Sequence, residues 1–174
     1  MFKYCPECAS EKIRFEETKV FRCPDCGLTY YHNTAAATGC IVNTKSGILF
    51  LVRNKEPGKG MLDLPGGFVD PGEGAMDGLC REFIEELGLD IKTEDFRLFA
   101  SFPNTYPYKN FSYNTCDLFF CLNAPDLTKK DLQLEDAEVS GVEFIKAADL
   151  DMERIAFESV KKAIRIYIDK NIIF

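Results

Sequence analysis

Residues 67–89 read GFVDPGEGAMDGLCREFIEELGL, and the second half of that stretch has the spacing of an amphipathic helix. Met76, Leu79, Cys80, Phe83, Ile84 and Leu87 recur at three- and four-residue steps from Ala75 onward, and Gly88 supplies the stop. Turning about 100° per residue from Glu82 at 0° puts Glu85 near 300° and Glu86 near 40°. Three carboxylates thus share one edge beside an apolar stripe running from about 60° to about 200°. Carboxylates held that close raise one another's pKa unless a cation offsets them, and a hard oxygen-seeking ion such as magnesium is the natural counter-charge. The competing reading is a solvated helix face in which Arg81 pairs with Glu85 at i,i+4, worth only a few tenths of a kcal/mol.

Working outward, LDLPGGFVDPGEG is dominated by Gly, Pro and Asp and reads as a structured loop. TGCIVNT and ILFLVRN are apolar strand candidates joined at Lys45-Ser46-Gly47, as in a hairpin. FRLFASF and YNTCDLFFCLN are further strand candidates separated by an aromatic loop, NTYPYKNFS, and VSGVEFI gives another strand. A tail beginning near Ala147 has Ile155, Val160, Ile164 and Ile168 at helical spacing. Strands and helices in this mixed order predict an α/β chain with a mixed sheet sandwiched by helices.

With its flanks, the helix carries more than periodicity. Gly67, Glu73, Arg81, Glu82, Glu85, Glu86 and Gly88, with Phe83 and Leu89 at the bulky apolar positions, match without exception G-x5-E-x7-R-E-U-x-E-E-x-G-U. The chain therefore resembles the Nudix hydrolases, through these 23 residues and through the order of elements from about Ala35 onward. The resemblance implies an α/β/α sandwich that hydrolyses a nucleoside diphosphate linked to another moiety. It also implies metal coordination by Glu82, Glu85 and Glu86, with one glutamate sometimes acting as base. Arg81 would orient a glutamate, Glu73 would support the loop, and the carbonyl of Gly66 would also ligate. A further carboxylate is expected at Glu138, with Glu135 and Asp136 as alternatives. Independently of the family, a diphosphate is shielded by negative oxygens, so its hydrolysis needs cations to neutralise them and to activate water.

Upstream, Cys5-Pro-Glu-Cys8 and Cys23-Pro-Asp-Cys26 flank IRFEETKVFR in a knuckle, hairpin, knuckle pattern. Two CxxC pairs at this spacing point to one structural zinc held by Cys5, Cys8, Cys23 and Cys26, ahead of disulfides or a redox or iron role. The expected division is a zinc ribbon over 1–33 and a Nudix domain over 34–174. A ribbon directly before such a domain is similar to the arrangement in NADH pyrophosphatases. The chain as it stands begins at the ribbon, and it has Ser101-Phe102-Pro103-Asn104-Thr105-Tyr106-Pro107-Tyr108 where that group carries SQPWPFPxS. His32 is read as packing or hydrogen-bonding rather than as a fifth ligand.

The remaining cysteines, Cys40, Cys80, Cys116 and Cys121, lie in apolar stretches and read as core thiols. A net charge of −7, about −9 with four thiolates and one zinc, disfavours nucleic acid as the main partner and suits a small nucleotide-type substrate. No apolar run approaches the roughly 20 residues of a membrane span, and MFKYCPEC lacks a signal-peptide core, so a cytoplasmic setting is expected. A homodimer is compatible with the chain. Tyr106, Tyr108, Phe111 and Tyr113 either stack a nucleobase, or cover a loop or fill the core. Two rival functions are a nucleotide-binding sensor without hydrolysis and a diphosphate isomerase using a cysteine. The complete glutamate set argues against the first, and the position of Cys80 on the apolar stripe argues against the second.

Overall fold

The computed structural model describes residues 2–17, 19–109 and 111–170. It divides into two compact units, Met1–Thr34 and Ala35–Phe174. In the first, β1 (Arg14–Glu16), β2 (Val20–Arg22) and β3 (Thr29–Tyr31) form an antiparallel three-stranded sheet. Its apolar centre is little more than Phe21, 2% exposed, with the rings of Phe2, Phe15 and Tyr30 between 5.2 and 5.8 Å away. A core of that size cannot offset the conformational entropy of some thirty residues, so this unit depends on a cross-link.

The second unit is built on β4 (Ala35–Thr44), β5 (Gly47–Arg53), β6 (Leu62–Asp63), β7 (Arg97–Tyr108), β8 (Phe111–Asn123) and β9 (Val139–Ile145). The sheet order is β6-β5-β4-β8-β7, with β9 also on β5. β4 and β8 run parallel while the other pairs are antiparallel, which makes the sheet mixed. Side chains alternate between its faces, and both faces are covered. Cys40, Val42, Leu49 and Leu51 pack with Leu79, Phe83 and Leu87 of α1 (Ala75–Leu87), whereas Ile41, Ile48 and Phe50 pack with Val160, Ala163 and Ile164 of α2 (Glu158–Asp169). Burial on both sides explains why GCIV and ILFLV are unbroken apolar runs rather than alternating ones. The result is an α/β/α sandwich. No helix among the described residues is long and apolar enough to cross a membrane.

Four details depart from the sequence reading. The aromatic segment is strand rather than loop: β7 and β8 stay paired to the tip, with Tyr106 opposite Tyr113 and Tyr108 opposite Phe111. Cross-strand aromatic pairs stabilise such a ribbon, and Pro103 and Pro107 are tolerated because β7 is an edge strand. The C-terminal helix begins at Glu158, after two short 3-10 turns at Ala147–Asp149 and Met152–Arg154. Ile155 is held extended instead, fully buried, bridging to Leu62 while the Ala156 amide donates to the Leu62 carbonyl at 2.9 Å. Burial there overrides its helix-compatible spacing. The buried face of α1 comprises Gly78, Leu79, Phe83, Glu86 and Leu87, so it is turned toward the acidic edge, leaving Met76 and Ile84 exposed. Finally, Cys40 and Cys121 are core thiols as expected, but Cys80 is only partly buried and Cys116 is exposed, its position in β8 alternating with buried Thr115 and Asp117.

Phe83 is fully buried and meets Phe96 edge-on at 5.2 Å, whereas Ile84 is 52% exposed. Phe83→Ala should therefore cost about 3–5 kcal/mol in denaturant titrations and Ile84→Ala less than about 1 kcal/mol, although both lie on the sequence-level apolar stripe.

Candidate functional site

A cavity of about 350 Å³ opens between the acidic edge of α1, the loop before it and the sheet. Its acidic end is organised by Arg81. The Nε of Arg81 donates to Glu73 at 2.9 Å, Nη1 to Glu82 and Glu85 at 2.9 Å each, and Nη2 to Glu73 at 3.1 Å and to the Phe68 carbonyl at 3.0 Å. These bonds raise the guanidinium's pKa further, first through Glu73. They hold the Glu73 carboxyl below its ordinary range, with the Asp70 amide assisting at 3.0 Å. Glu73 thus ties the loop to the helix.

Glu82 and Glu86 have a different environment. Burial pushes the Glu82 carboxyl up against the opposing pull of Arg81. Glu86 is 8% exposed and pushed well up by burial, opposed by the Gly66 amide, which donates to it at 2.9 Å. Neighbouring Glu82, Asp63 and Glu138 reinforce the rise. Glu138 lines the same cavity and forms an ion pair with Lys55, which is about half exposed. Of its alternatives, Glu135 also lines the cavity, and the Asp136 carbonyl accepts from Asn54 at 2.7 Å.

Backbone geometry admits this arrangement. A Cβ at Gly67 would lie 2.5 Å from Glu82 Oε1 and 2.7 Å from its Cδ, so the carboxyl rests on a position only glycine leaves open. Gly66, at φ +134°, sits where a Cβ would also strike the Thr38 carbonyl. Eight carboxylates line the cavity (Asp63, Asp70, Glu82, Glu85, Glu86, Asp117, Glu135 and Glu138) against three cationic side chains, Arg53, Lys55 and Arg81. That imbalance suits divalent cations with oxygen ligands, and an anionic ligand would be repelled without them.

The structure brings Gly66, Arg81, Glu82, Glu85, Glu86 and Glu138 to one cavity, with Glu73 bonded to Arg81 at its margin. Tyr106 lines it, whereas Tyr108 and Phe111 lie further along the hairpin, about half exposed. Phe68 rests on the hairpin, 5.3 Å from Tyr106 and 6.1 Å from Tyr113. Sequence reasoning missed Arg53, Asp63, Thr115, Asp117 and Phe157, which also line the cavity, and Ser159, which donates to Asp117. Their one sequence signal is the interruption of apolar strands by charge.

In the first unit the sulfurs of Cys5, Cys8, Cys23 and Cys26 lie within 4.8 Å of one another and could hold a metal ion. The Cys5–Cys26 and Cys8–Cys23 separations are 3.6 Å. A disulfide would need about 2.05 Å, while a tetrahedron with arms of about 2.3 Å has edges of about 3.8 Å. Burial opposes thiolate formation at Cys23, but the Cys26 and Asp25 amides draw it down to about 7. The Leu28 amide favours thiolate at Cys26, yet burial and the other three sulfurs push it up to about 12. A cation on these sulfurs would favour their thiolate forms. His32 is exposed, and its amide donates to the Lys19 carbonyl at 2.6 Å.

Residues 32–165 match the family model described as the NUDIX domain. The chain belongs to the Nudix family. Among Nudix relatives, it is 30% identical over 101 residues to the NAD-capped RNA hydrolase NudC of Chromobacterium violaceum, covering 58% of this chain and 38% of that one. It is 37% identical over 78 residues to the ADP-ribose pyrophosphatase of Methanocaldococcus jannaschii, covering 45% and 46%. The chain thus spans less than half the length of these relatives. The NUDIX hydrolase of Nitrosomonas europaea shares the fold, with a TM-score of 0.72 at 22% identity over 97% of this chain and 92% of that one.

Gly67→Ala should leave the chain folded but displace the Glu82 carboxyl. The stabilisation that added Mg2+ gives, read as a shift in Tm, is expected to fall by at least half while apo Tm changes by a few degrees.

Proposed function

We propose that this chain is a Mg2+- or Mn2+-dependent pyrophosphohydrolase acting on small nucleoside diphosphate derivatives of the ADP-ribose or dinucleotide class. The observation that carries this is the cavity itself, in which eight carboxylates outweigh three cations beside an aromatic and polar wall. Glu82, Glu85, Glu86, Glu138 and the Gly66 carbonyl are the groups that would hold the ions. Bound there, the ions would neutralise the phosphate oxygens and lower the pKa of the attacking water. Arg81 orients Glu82 and Glu85 through Nη1 and braces the loop through Glu73. Arg81 fixes Glu82 through Oε1, and one glutamate of the cluster would take the proton released by the water.

The relatives, an ADP-ribose pyrophosphatase and an NAD-capped RNA hydrolase, support a diphosphate flanked by a nucleoside. The net charge of −7 favours the small-molecule members of that class over a long RNA. Cys80, packed against the core cluster and absent from the cavity lining, offers an isomerase no reactive thiol. Release of mononucleotide from ADP-ribose, NADH and nucleoside triphosphates with Mg2+ tests the reading. Tight binding without turnover would favour a sensor instead. Glu82→Gln and Glu86→Gln should each lower turnover at least about 100-fold with the fold retained, and wild-type rates in either would overturn the assignment.

The metal response should also depend on pH. A carboxyl whose pKa is raised in the folded state stabilises the fold while protonated. That contribution is present below the ordinary value of 4.5 and is lost as pH rises through the raised value. Protons compete with Mg2+ at low pH and leave uncompensated charge at high pH. The Tm increment from Mg2+ should therefore grow between about pH 5 and 8, and Glu86→Gln should flatten that dependence.

For the first unit, we propose one structural zinc on Cys5, Cys8, Cys23 and Cys26, since their sulfur separations fit a tetrahedral site and the unit lacks a sufficient core. Elemental analysis should give one zinc per chain. Cys23→Ser should expose residues 1–34 to protease while hydrolysis remains measurable, and zinc-free protein with four thiols reactive under native conditions would contradict the site.

A further inference from the structure

Of the three cationic side chains that line the cavity, two are committed elsewhere. Arg81 donates to Glu73, Glu82, Glu85 and the Phe68 carbonyl. Arg53 donates from Nε to the Pro57 carbonyl at 2.7 Å and from Nη1 to Asp63 at 2.6 Å, and it interacts with the side chains of Phe157 and Tyr106. Lys55 differs from both. It is 48% exposed at its side chain, and its ion-pair partner among the described residues is Glu138. An ammonium carries three donors, so this contact leaves it capacity for another acceptor.

The backbone imposes this pairing. The Asn54 amide donates to the Glu138 carbonyl at 2.8 Å, and the Asn54 side chain donates to the Asp136 carbonyl at 2.7 Å. Opposite them β9 carries a bulge at Ser140: Val52 faces Gly141, Arg53 faces Val139, and the Ser140 hydroxyl donates to the Val52 carbonyl at 3.1 Å. The extra residue returns Val139 to the buried cluster that holds Val142, and it re-aims Glu138. The segment after Asn54 closes on itself, with the Gly60 amide donating to the Arg53 carbonyl at 2.8 Å and the Met61 amide to the Gly58 carbonyl at 2.9 Å. A recess of about 20 Å³, room for about one water, is shared by Lys55, Glu138, Glu86 and Asp63. Lys55 thus supplies positive charge to the acidic end of the cavity. Its pair with Glu138, 39% exposed, is screened by solvent and weak enough to exchange.

We propose that Lys55 is an exchangeable counter-ion: it neutralises Glu138 in the metal-free protein, and when Glu138 takes up a divalent cation the ammonium turns to the diphosphate of the substrate. The inference rests on the hydrolase reading above and adds a coupling which that reading does not contain. Before substrate arrives, Lys55 competes with the cation for Glu138. An anion that engages the ammonium frees Glu138, so cation and diphosphate each raise the other's affinity by the same factor.

Calorimetric titration of Mg2+ into the nucleotide-free full chain tests the competition. Lys55→Met should lower the Kd about threefold, the size expected on removing a half-exposed ion pair that competes for the site. Lys55→Arg, which keeps the charge, should stay within about 1.5-fold of wild type. Lys59→Met removes a charge from an exposed position of the same loop and should also stay within about 1.5-fold. In a Glu138→Gln background, where Mg2+ binds more weakly, Lys55→Met should change the Kd by less than about 1.5-fold, which separates the pair from the general field of the site. At saturating Mg2+, Lys55→Met should raise KM for ADP-ribose at least about fivefold, and Lys55→Arg should stay within about twofold of wild type. The proposal is overturned if Lys55→Met leaves the Mg2+ Kd unchanged, or if Lys59→Met or the Glu138→Gln background shows the same gain. An unchanged KM in Lys55→Met overturns it as well. If wild type does not hydrolyse ADP-ribose, the hydrolase reading fails by itself. The Mg2+ titrations, with the Kd of ADP-ribose measured at saturating Mg2+ in place of KM, then still decide the role of Lys55.

Discussion

Arg81 donates five hydrogen bonds, as many as a guanidinium has N–H groups, and they reach three glutamates and one loop carbonyl. Through Glu73 and the Phe68 carbonyl it fixes the loop that crosses the sheet, and through Glu82 and Glu85 it sets the acidic edge of α1. A lysine would supply the charge but not the planar fork that reaches partners on both sides of the turn. Without Arg81, the carboxylate face of the helix would still meet the loop carrying Gly66 and Gly67 through the Gly66–Glu86 bond and packing.

The site is therefore a loop and a helix held in register, and its tolerances are those of close packing. Glu82 lies where a Gly67 Cβ would be, and Glu86 is buried beside Glu82, Asp63 and Glu138 with the Gly66 amide donating to it. Such a site is costly to maintain empty, because burial disfavours both ionised carboxyls. The sandwich around it supplies the stability that the cavity does not: both faces of the sheet are covered by apolar clusters, each with a helix.

Much of this was legible in the sequence, and the legible part has a common cause. α1 could be read because its periodicity, its glycine stop and its acidic edge all lie within about twenty residues, and β4 and β5 because strands buried on both faces leave unbroken apolar runs. What escaped depends on distant partners. Ile155 has helical spacing, but Leu62, ninety-three positions earlier, holds it extended. The aromatic segment carries Asn104, Pro107 and Asn110 and follows Pro103, which signals a loop locally, yet the pairing with β8 continues to Tyr108–Phe111. Asp117 resembles an outward polar residue of an alternating strand until Ser159 closes over it from α2. The orientation of α1 was misjudged by about one residue's turn, since nothing local indicates that Gly66 would offer its amide to Glu86 and allow that side chain to be buried.

The parallel pairing of β4 with β8 has a kinetic meaning. Ala35 to Asn43 join Thr115 to Asn123 across about eighty intervening positions, and the loop, α1 and the whole of β7 lie inside that span. Closing so long a segment costs chain entropy before the contacts it creates can return any, which places this sheet among slow-forming, high-contact-order topologies. α1 and its capping glycine can gain structure early, on local interactions alone, but the cavity exists only once the central ladder has zipped. Recognition and chemistry are thus acquired together, as a late and cooperative event in the birth of the molecule.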